Sequence, residues 1–248
     1  MKKYAFKTKD EMAAAAASSV IQAIKHAIRE KGQANIVLGT GTSQYELFAH
    51  IVASKGVDWL KVVMFHLDEY IGLPPGHPAG LRTYLMKHFV DKVGPLRAMY
   101  LVKGEALDPV QECKRLGVLI QAHPIDVTCI GFGENGHLAF NDPPADFETQ
   151  EPYLVVQLDE RCRMQQVGEG WFQSLQQVPT RAISMSIRQI LKSKKLVATV
   201  PDLRKAEAVK NALEGPVTPQ CPASIVQQHE DCDVFLDEAA ASRLSGEL

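Results

Sequence analysis

The chain has 248 residues, 46% apolar and 23% charged, with a formal net charge of −2 at pH 7. That balance suits a single α/β domain over residues 1–248 with a core of ordinary size. It excludes the basic excess of a nucleic-acid binder and the charge run of an interaction tail, and no apolar run approaches the roughly 18 residues that a membrane span needs. The five cysteines form no CxxC pair, which argues against a disulfide framework or a structural zinc site and for a reducing compartment. No apolar signal core follows the basic N-terminus, so the expected location is the cytoplasm.

Asp10 reads as the N-cap of a first helix, in which Met12, Ala16, Val20, Ile24 and Ile28 recur at helical spacing until Gly32 stops the run. Asn35–Leu38 is a short buried strand, Gly39–Ser43 a tight loop, and 44–55 a helix. Leu60–Phe65 is a second strand that ends at His66-Leu67-Asp68-Glu69-Tyr70. A Gly/Pro loop covers 71–80, with helices over 81–92 and 107–122. Ile125–Ile130 is a strand running into Gly131–His137, and Ala182–Ile187 alternates like a strand. Lys195–Val200 is a buried strand, Asp202–Leu213 a helix closed by Gly215, and Asp233–Leu236 a last strand before a short helix. Strands alternating with helices predict a three-layer, Rossmann-like fold, its mainly parallel sheet covered by helices on both faces.

Ligands of open parallel sheets sit beyond the carboxyl ends of the strands. That rule selects Gly39–Ser43, His66–Tyr70 and Gly131–Asp142, which are also the glycine-rich or charged stretches. Gly39-Thr40-Gly41-Thr42-Ser43 offers backbone N–H groups and hydroxyls at a helix N-terminus, a ready site for an anion, although a simple capped turn has the same composition. It lacks the Gly-Lys-Thr/Ser of a nucleotide loop. Asp68 and Glu69 are adjacent acids at a strand end, costly unless paired or facing a ligand, and Asp68 could act as a general base. Gly131–Gly136 contains a literal GxGxxG, but Pro143 and Pro144 leave no room for the long helix of a dinucleotide site. What remains is a glycine loop carrying His137 beside Asn135 and Asp142, a set able to move protons near neutral pH. His66 with Asp68, and His137 with Asp142, lie close in sequence, but no HExxH or Cys/His pair appears and no metal is expected. Lys205, with Arg204, opens a late helix within reach of an anion over the sheet edge; Arg163, Arg181 and Arg188 are further basic candidates.

Two of these stretches carry a family resemblance. HLDEYIGLPPGHP (66–78) is similar to the MDEY-x-GLP segment of glucosamine-6-phosphate deaminases, and GFGENGHLAFNDPP (131–144) to their G-x-G-x-DGH-x-AFNEP segment. Thr83-Tyr84-Leu85-Met86 and the stretch from Lys205-Ala206 to Glu214-Gly215 resemble two more of their segments, in the same order, so that the similarity runs from about 35 to 237. The 6-phosphogluconolactonases of the same superfamily share the GxGxDGH core but continue differently. The resemblance implies a cofactor-free conversion of glucosamine 6-phosphate to fructose 6-phosphate and ammonia. Gly41, Thr42, Ser43 and Lys205 would hold the phosphate. Asp68 would take the C2 proton of the open sugar, and His137, supported by Asn135 and Asp142, would assist ring opening. Glu69, Tyr70, Gly136 and Arg188 are expected as further substrate contacts. The implied partner is a small sugar phosphate, with neither nucleic acid nor membrane; a homo-oligomer is compatible with the sequence, and 146–180 could form a lid.

Three departures from the family pattern bear on the substrate. Asn135 stands where Asp is usual and supplies no charge to His137. Asp142 is one methylene shorter than the usual Glu, and GTGTSQYE replaces a Gly-Gly-Thr/Ser-Pro turn. Galactosamine 6-phosphate, a phosphogluconolactone, or a non-catalytic sugar-phosphate sensor are the alternative readings.

Overall fold

A computed structural model of the chain describes residues 1–246. Its ten strands are β1 (Lys2–Phe6), β2 (Ala34–Leu38), β3 (Val62–His66), β4 (Asp68–Tyr70), β5 (Ala98–Tyr100), β6 (Val127–Ile130), β7 (Tyr153–Gln157), β8 (Arg181–Met185), β9 (Lys195–Val200) and β10 (Cys232–Asp237). Seven of them form the central sheet, in the order β1-β10-β9-β6-β2-β3-β5. All six pairings are parallel. The buried runs VVMFH of β3 and VTCI of β6 are the near-continuous apolar pattern of strands covered on both faces.

Helices Lys9–Lys31 and Tyr45–Ala53 cover one face through Met12, Val20, Ile24, Leu47 and Phe48. On the other face, helices Pro109–Gln121 and Ala206–Glu214 share a core with a second, antiparallel sheet of order β4-β8-β7. Tyr70, Phe140, Cys162 and Phe172 form a third apolar cluster, which seats the segment after β7. Among the described residues, no helix is long and apolar enough to cross a membrane.

The parallel α/β architecture expected from the sequence is the one observed, with local differences. Thr8, not Asp10, caps the first helix: its side chain accepts the Glu11 N–H while the Glu11 carboxylate takes the Thr8 N–H, so two free donors are satisfied at once. Lys2–Phe6 pairs with β10 as an edge strand, which its half-exposed, charged pattern concealed. Asp68–Tyr70 is a strand in its own right and not the tail of β3, because it pairs with Ser184, Ile183 and Ala182 of β8. The strand read at 182–187 therefore belongs to the second sheet.

From β2 the chain steps outward to β3 and β5, then returns to place β6 on the other side of β2 and continues to β9, β10 and the paired β1. The order reverses between β2 and β6. Loops leaving the two strands diverge there and open a crevice, so Gly39–Ser43 and Gly131–His137 face one another across it. The Gly39 N–H donates to the Cys129 carbonyl over 2.9 Å and holds the two strand ends together.

Candidate active site

A cavity of about 600 Å³, counting its open mouth, lies at this reversal point. Gly39 to Ser43, Asp68, Gly131 to Gly133, His137, Ala139, Glu169 and Lys205 are among its lining residues. The glycine loop is held from three sides. Tyr84 Oη donates to the Gly41 carbonyl over 3.0 Å, and the Thr199 hydroxyl to the Ser43 carbonyl over 3.0 Å. Gln44, fully buried, donates to the Ile130 carbonyl and to Thr199, which ties the start of the following helix to the ends of β6 and β9. Gly41 has φ of +96°, a conformation that side-chain-bearing residues rarely adopt, and from it the chain enters the turn Thr42–Gln44. The fixed loop lines the cavity with its backbone, and Lys205, a residue only 4% exposed, adds an ammonium to the same wall. No ion pair among the described residues neutralises that ammonium; burial pulls its pKa down, while the nearby Glu169 and Glu134 charges act against the shift. A fixed amide cradle beside a buried, unpaired cation is chemistry that suits a phosphate.

Asp68 sits on β4, held over the sheet end by pairing with Ser184. Burial, and next the Glu69 charge, push its carboxyl up to about 8, which makes it a strong proton acceptor once ionised. Glu69 points elsewhere. Its carboxylate accepts the backbone N–H groups of Tyr70, Leu81 and Arg82, and so fixes the loop of residues 71–80 to the next helix. Tyr70 is fully buried and donates to Gln166 Oε1 over 2.9 Å.

His137 lies over Gly133, where an added Cβ would stand 2.3 Å from the imidazole. Its Nδ1 is 3.2 Å from Asp142 Oδ1, within ion-pair range but out of line for a straight hydrogen bond. Burial would raise the Asp142 pKa, but His137, Asn135 and the Asp159 N–H together hold it below the usual carboxylate range. Asn135 uses its whole side chain: Oδ1 accepts the His137 N–H, and Nδ2 donates to both Asp142 and Asp159, each over 3.0 Å. Asn141, also buried, donates to the Leu138 and Met185 carbonyls and pins this loop to β8.

The residues expected to act together do not all reach the cavity. Gly41, Thr42, Ser43, Lys205, Asp68 and His137 line it, whereas Asn135 and Asp142 stand behind His137. Gly136 turns the loop with φ of +82° and packs against Cys221 instead of facing the cavity. Arg188 is remote from it, 3.8 Å from Glu148 beside a separate depression, because the short helix that carries it leaves β8 in another direction. Arg163 serves the backbone, donating to the Leu175 and Val178 carbonyls. His66 is not among the lining residues; its two ring nitrogens are buried without partners and its pKa is lowered to about 3 by burial and next by Arg82. Gln165, Gln166 and Glu169 line the cavity and Asp159 bonds Asn135, yet none of the four stood out in the sequence. Asp159 carries one readable signal, an acid at the start of a helix, where it accepts the Cys162 N–H over 2.6 Å.

Donor atoms of His137, Asp142 and Cys162 lie within 4.8 Å of one another, close enough to be considered for a metal. Both Asp142 oxygens are already engaged, Oδ1 by Asn135 and Oδ2 by the Asp159 N–H, so a metal would have to displace fixed donors. The cluster fits a hydrogen-bonded support for His137 better than a set of ligands waiting for an ion.

Residues 7–235 match the family model described as glucosamine-6-phosphate isomerases/6-phosphogluconolactonase. A glucosamine-6-phosphate deaminase from Exiguobacterium sibiricum is 38% identical over 220 residues, 89% of this chain and 85% of that one. The enzyme of the same name from Oenococcus oeni is 37% identical over 225 residues, 91% and 92% of the two chains. Among solved structures, a monomeric glucosamine-6-phosphate deaminase superposes with a TM-score of 0.89 at 30% identity, covering 98% of this chain and 99% of its own. The 6-phosphogluconolactonase of Trypanosoma brucei shares the fold, with a TM-score of 0.78 at 15% identity over 98% of each chain. With the match spanning both the glycine loop and the His137 loop at the reversal point, this chain belongs to the glucosamine-6-phosphate isomerase/6-phosphogluconolactonase family.

Proposed function

We propose that the chain converts glucosamine 6-phosphate and water to fructose 6-phosphate and ammonia. One observation carries this reading: an anion cradle (Gly41–Ser43 with Lys205), a proton-hungry carboxylate (Asp68) and a supported imidazole (His137) converge on a single cavity. With the phosphate in the cradle, His137 moves the proton of the ring oxygen as the sugar opens. The aldehyde at C1 then acidifies the C2 proton, and Asp68 removes it. Returning a proton to C1 leaves an imine at C2, and water replaces its nitrogen to release ammonia. A carboxylate base suffices for the C2 step, which is why the reading invokes neither metal nor nucleotide. Asn135 and Asp142 position His137, and Asp159 steadies Asn135.

The test follows ammonia and fructose 6-phosphate together, with glucosamine 6-phosphate, galactosamine 6-phosphate and the gluconolactone phosphate as parallel substrates. Equal release of both products from an amino sugar supports the deaminase reading. Lactone hydrolysis that persists in Asp68→Asn, without amino-sugar turnover, replaces it by lactonase chemistry, in which a C2 base has no part.

A further inference from the structure

The cavity that offers an amide cradle and a buried cation to an anion already contains a carboxylate of its own. Glu169 directly follows helix Glu160–Gly168; its side chain is 3% exposed and lines the same cavity as Lys205. Its hydrogen bonds come from its own segment. Gln165 Nε2 donates to Oε1 over 2.8 Å and Trp171 Nε1 to Oε2 over 3.1 Å. Its links beyond that segment are electrostatic: the Arg204 guanidinium stands 4.0 Å from Oε1, at the limit of an ion pair, and Glu169 is the largest attractive influence on the Lys205 ammonium. The carboxylate itself is thus held by two hydrogen bonds from residues two and four positions away, and none of its own hydrogen bonds reaches Lys205 or the glycine loop. Arg204, through its 2.8 Å pair with Glu134, and the bond from the Glu134 N–H to Gln165 hold the segment at the cavity edge.

The geometry points to Glu169 as an internal anion that partners the Lys205 site while no phosphate is bound, and that an incoming phosphate ester must displace. This rests on the reading of Gly41–Ser43 and Lys205 as the phosphate site. A phosphate dianion and a carboxylate brought together in one cavity of this size repel, so the two exclude each other in the same arrangement of the segment. The segment that carries Glu169 is thereby assigned a second position, one that the phosphate selects. Glu169 sets phosphate affinity without entering the chemistry at C1 and C2.

The test is a calorimetric titration with inorganic phosphate, which needs no turnover. Glu169→Gln and Glu169→Ala remove the competing charge and are expected to tighten phosphate binding about tenfold or more; Lys205→Met is expected to abolish it. Trp171, bonded to Glu169, supplies a second readout. In a Trp59→Phe background it is the remaining tryptophan of the two, and its emission is expected to change with phosphate along the same binding curve. Unchanged or weaker phosphate binding in both Glu169 variants, with Lys205→Met still lacking it, overturns the inference and leaves the phosphate site intact. Phosphate binding with no change in Trp171 emission also overturns it. Full phosphate binding in Lys205→Met instead refutes the reading of the site itself. If Glu169 were a counter-ion for the substrate amine, its loss would raise KM for the amino sugar and leave inorganic phosphate binding unchanged, which also counts against the inference.

Discussion

Replacing Asp68 by Asn should change how the stability of the protein depends on pH. Asp68 is 5% exposed, and burial followed by the Glu69 charge lifts its carboxyl from 3.8 to about 8. Between those values the folded chain holds a proton that the unfolded chain has released. The stabilising contribution is complete below 3.8 and is lost as pH rises toward 8, at ~1.4 kcal/mol per unit. His66 works in the opposite sense. Its folded pKa is lowered from 6.5 to about 3, so the unfolded chain binds the extra proton between those values and stability rises with pH in that window. The two slopes cancel from about pH 4 to 6.5, and the Asp68 slope stands uncovered from 6.5 to 8. Urea denaturation of wild type and Asp68→Asn at half-unit steps over that range should therefore give stability curves that diverge by ~2 kcal/mol in favour of the variant. The same ionisation should govern turnover: kcat/KM of the wild type should climb through about pH 8, since the base must be ionised in the free protein. Parallel stability curves together with a flat kcat/KM above pH 6 would show that Asp68 is already ionised at neutral pH, and the account of its burial would be wrong.

Gly133→Ala should displace the imidazole, because the new methyl would stand 2.3 Å from His137; kcat should fall on the order of 100-fold with a stability loss of about 1–3 kcal/mol, and unchanged kcat would mean that the His137 position is unimportant. Asn135→Asp removes the amide that bridges Asp142 and Asp159 and sets a third carboxylate against them. It should cost about 1–3 kcal/mol and much of the turnover, and adding Asp159→Asn, which can still cap its helix, should recover most of both; additive losses in the double variant would refute the coupling. His66→Leu should be neutral or stabilise the fold by about 1–3 kcal/mol at pH 7, because the ring nitrogens are buried without partners; a clear fall in Tm would mean that the ring is satisfied in solution, for example by water.

What could be read directly was local. The apolar runs of β2, β3 and β6, each followed by glycine-rich or charged residues, identified three strand ends that do meet around the cavity, with the glycine loop, Asp68 and His137 on its wall beside Lys205 from the helix after β9. Those signals lie within a few residues of the groups they describe, since strand burial and turn geometry are fixed over short stretches of chain. The opening residues KKYAF gave no comparable signal, because an edge strand half in solvent has no continuous apolar run. Asp68 was legible as an acid at a strand end, but its proton affinity was not, because that follows from its burial in a second sheet whose other strands arrive from residues 153–157 and 181–185.

The same distinction separates Glu169 and Asp159 from the residues that were anticipated. In sequence they are acids in a stretch of mixed polarity, and only the helix-start position of Asp159 sets either apart from solvated surface. The apolar cluster of Tyr70, Phe140, Cys162 and Phe172 docks that stretch over the strand ends, which carries Glu169 into the cavity and Asp159 against Asn135. Conversely, Arg188 and Glu69 carried suitable chemistry yet point elsewhere, toward Glu148 and toward backbone N–H groups. By itself the sequence determined the strand and helix alternation, the glycine turns and the chemical types available at the ends of the strands. The tertiary structure decided which of those groups share a low-dielectric cavity, because strand order and the docking of distant segments depend on burying apolar surface across the whole chain, and burial in turn sets each charge's proton affinity and partner.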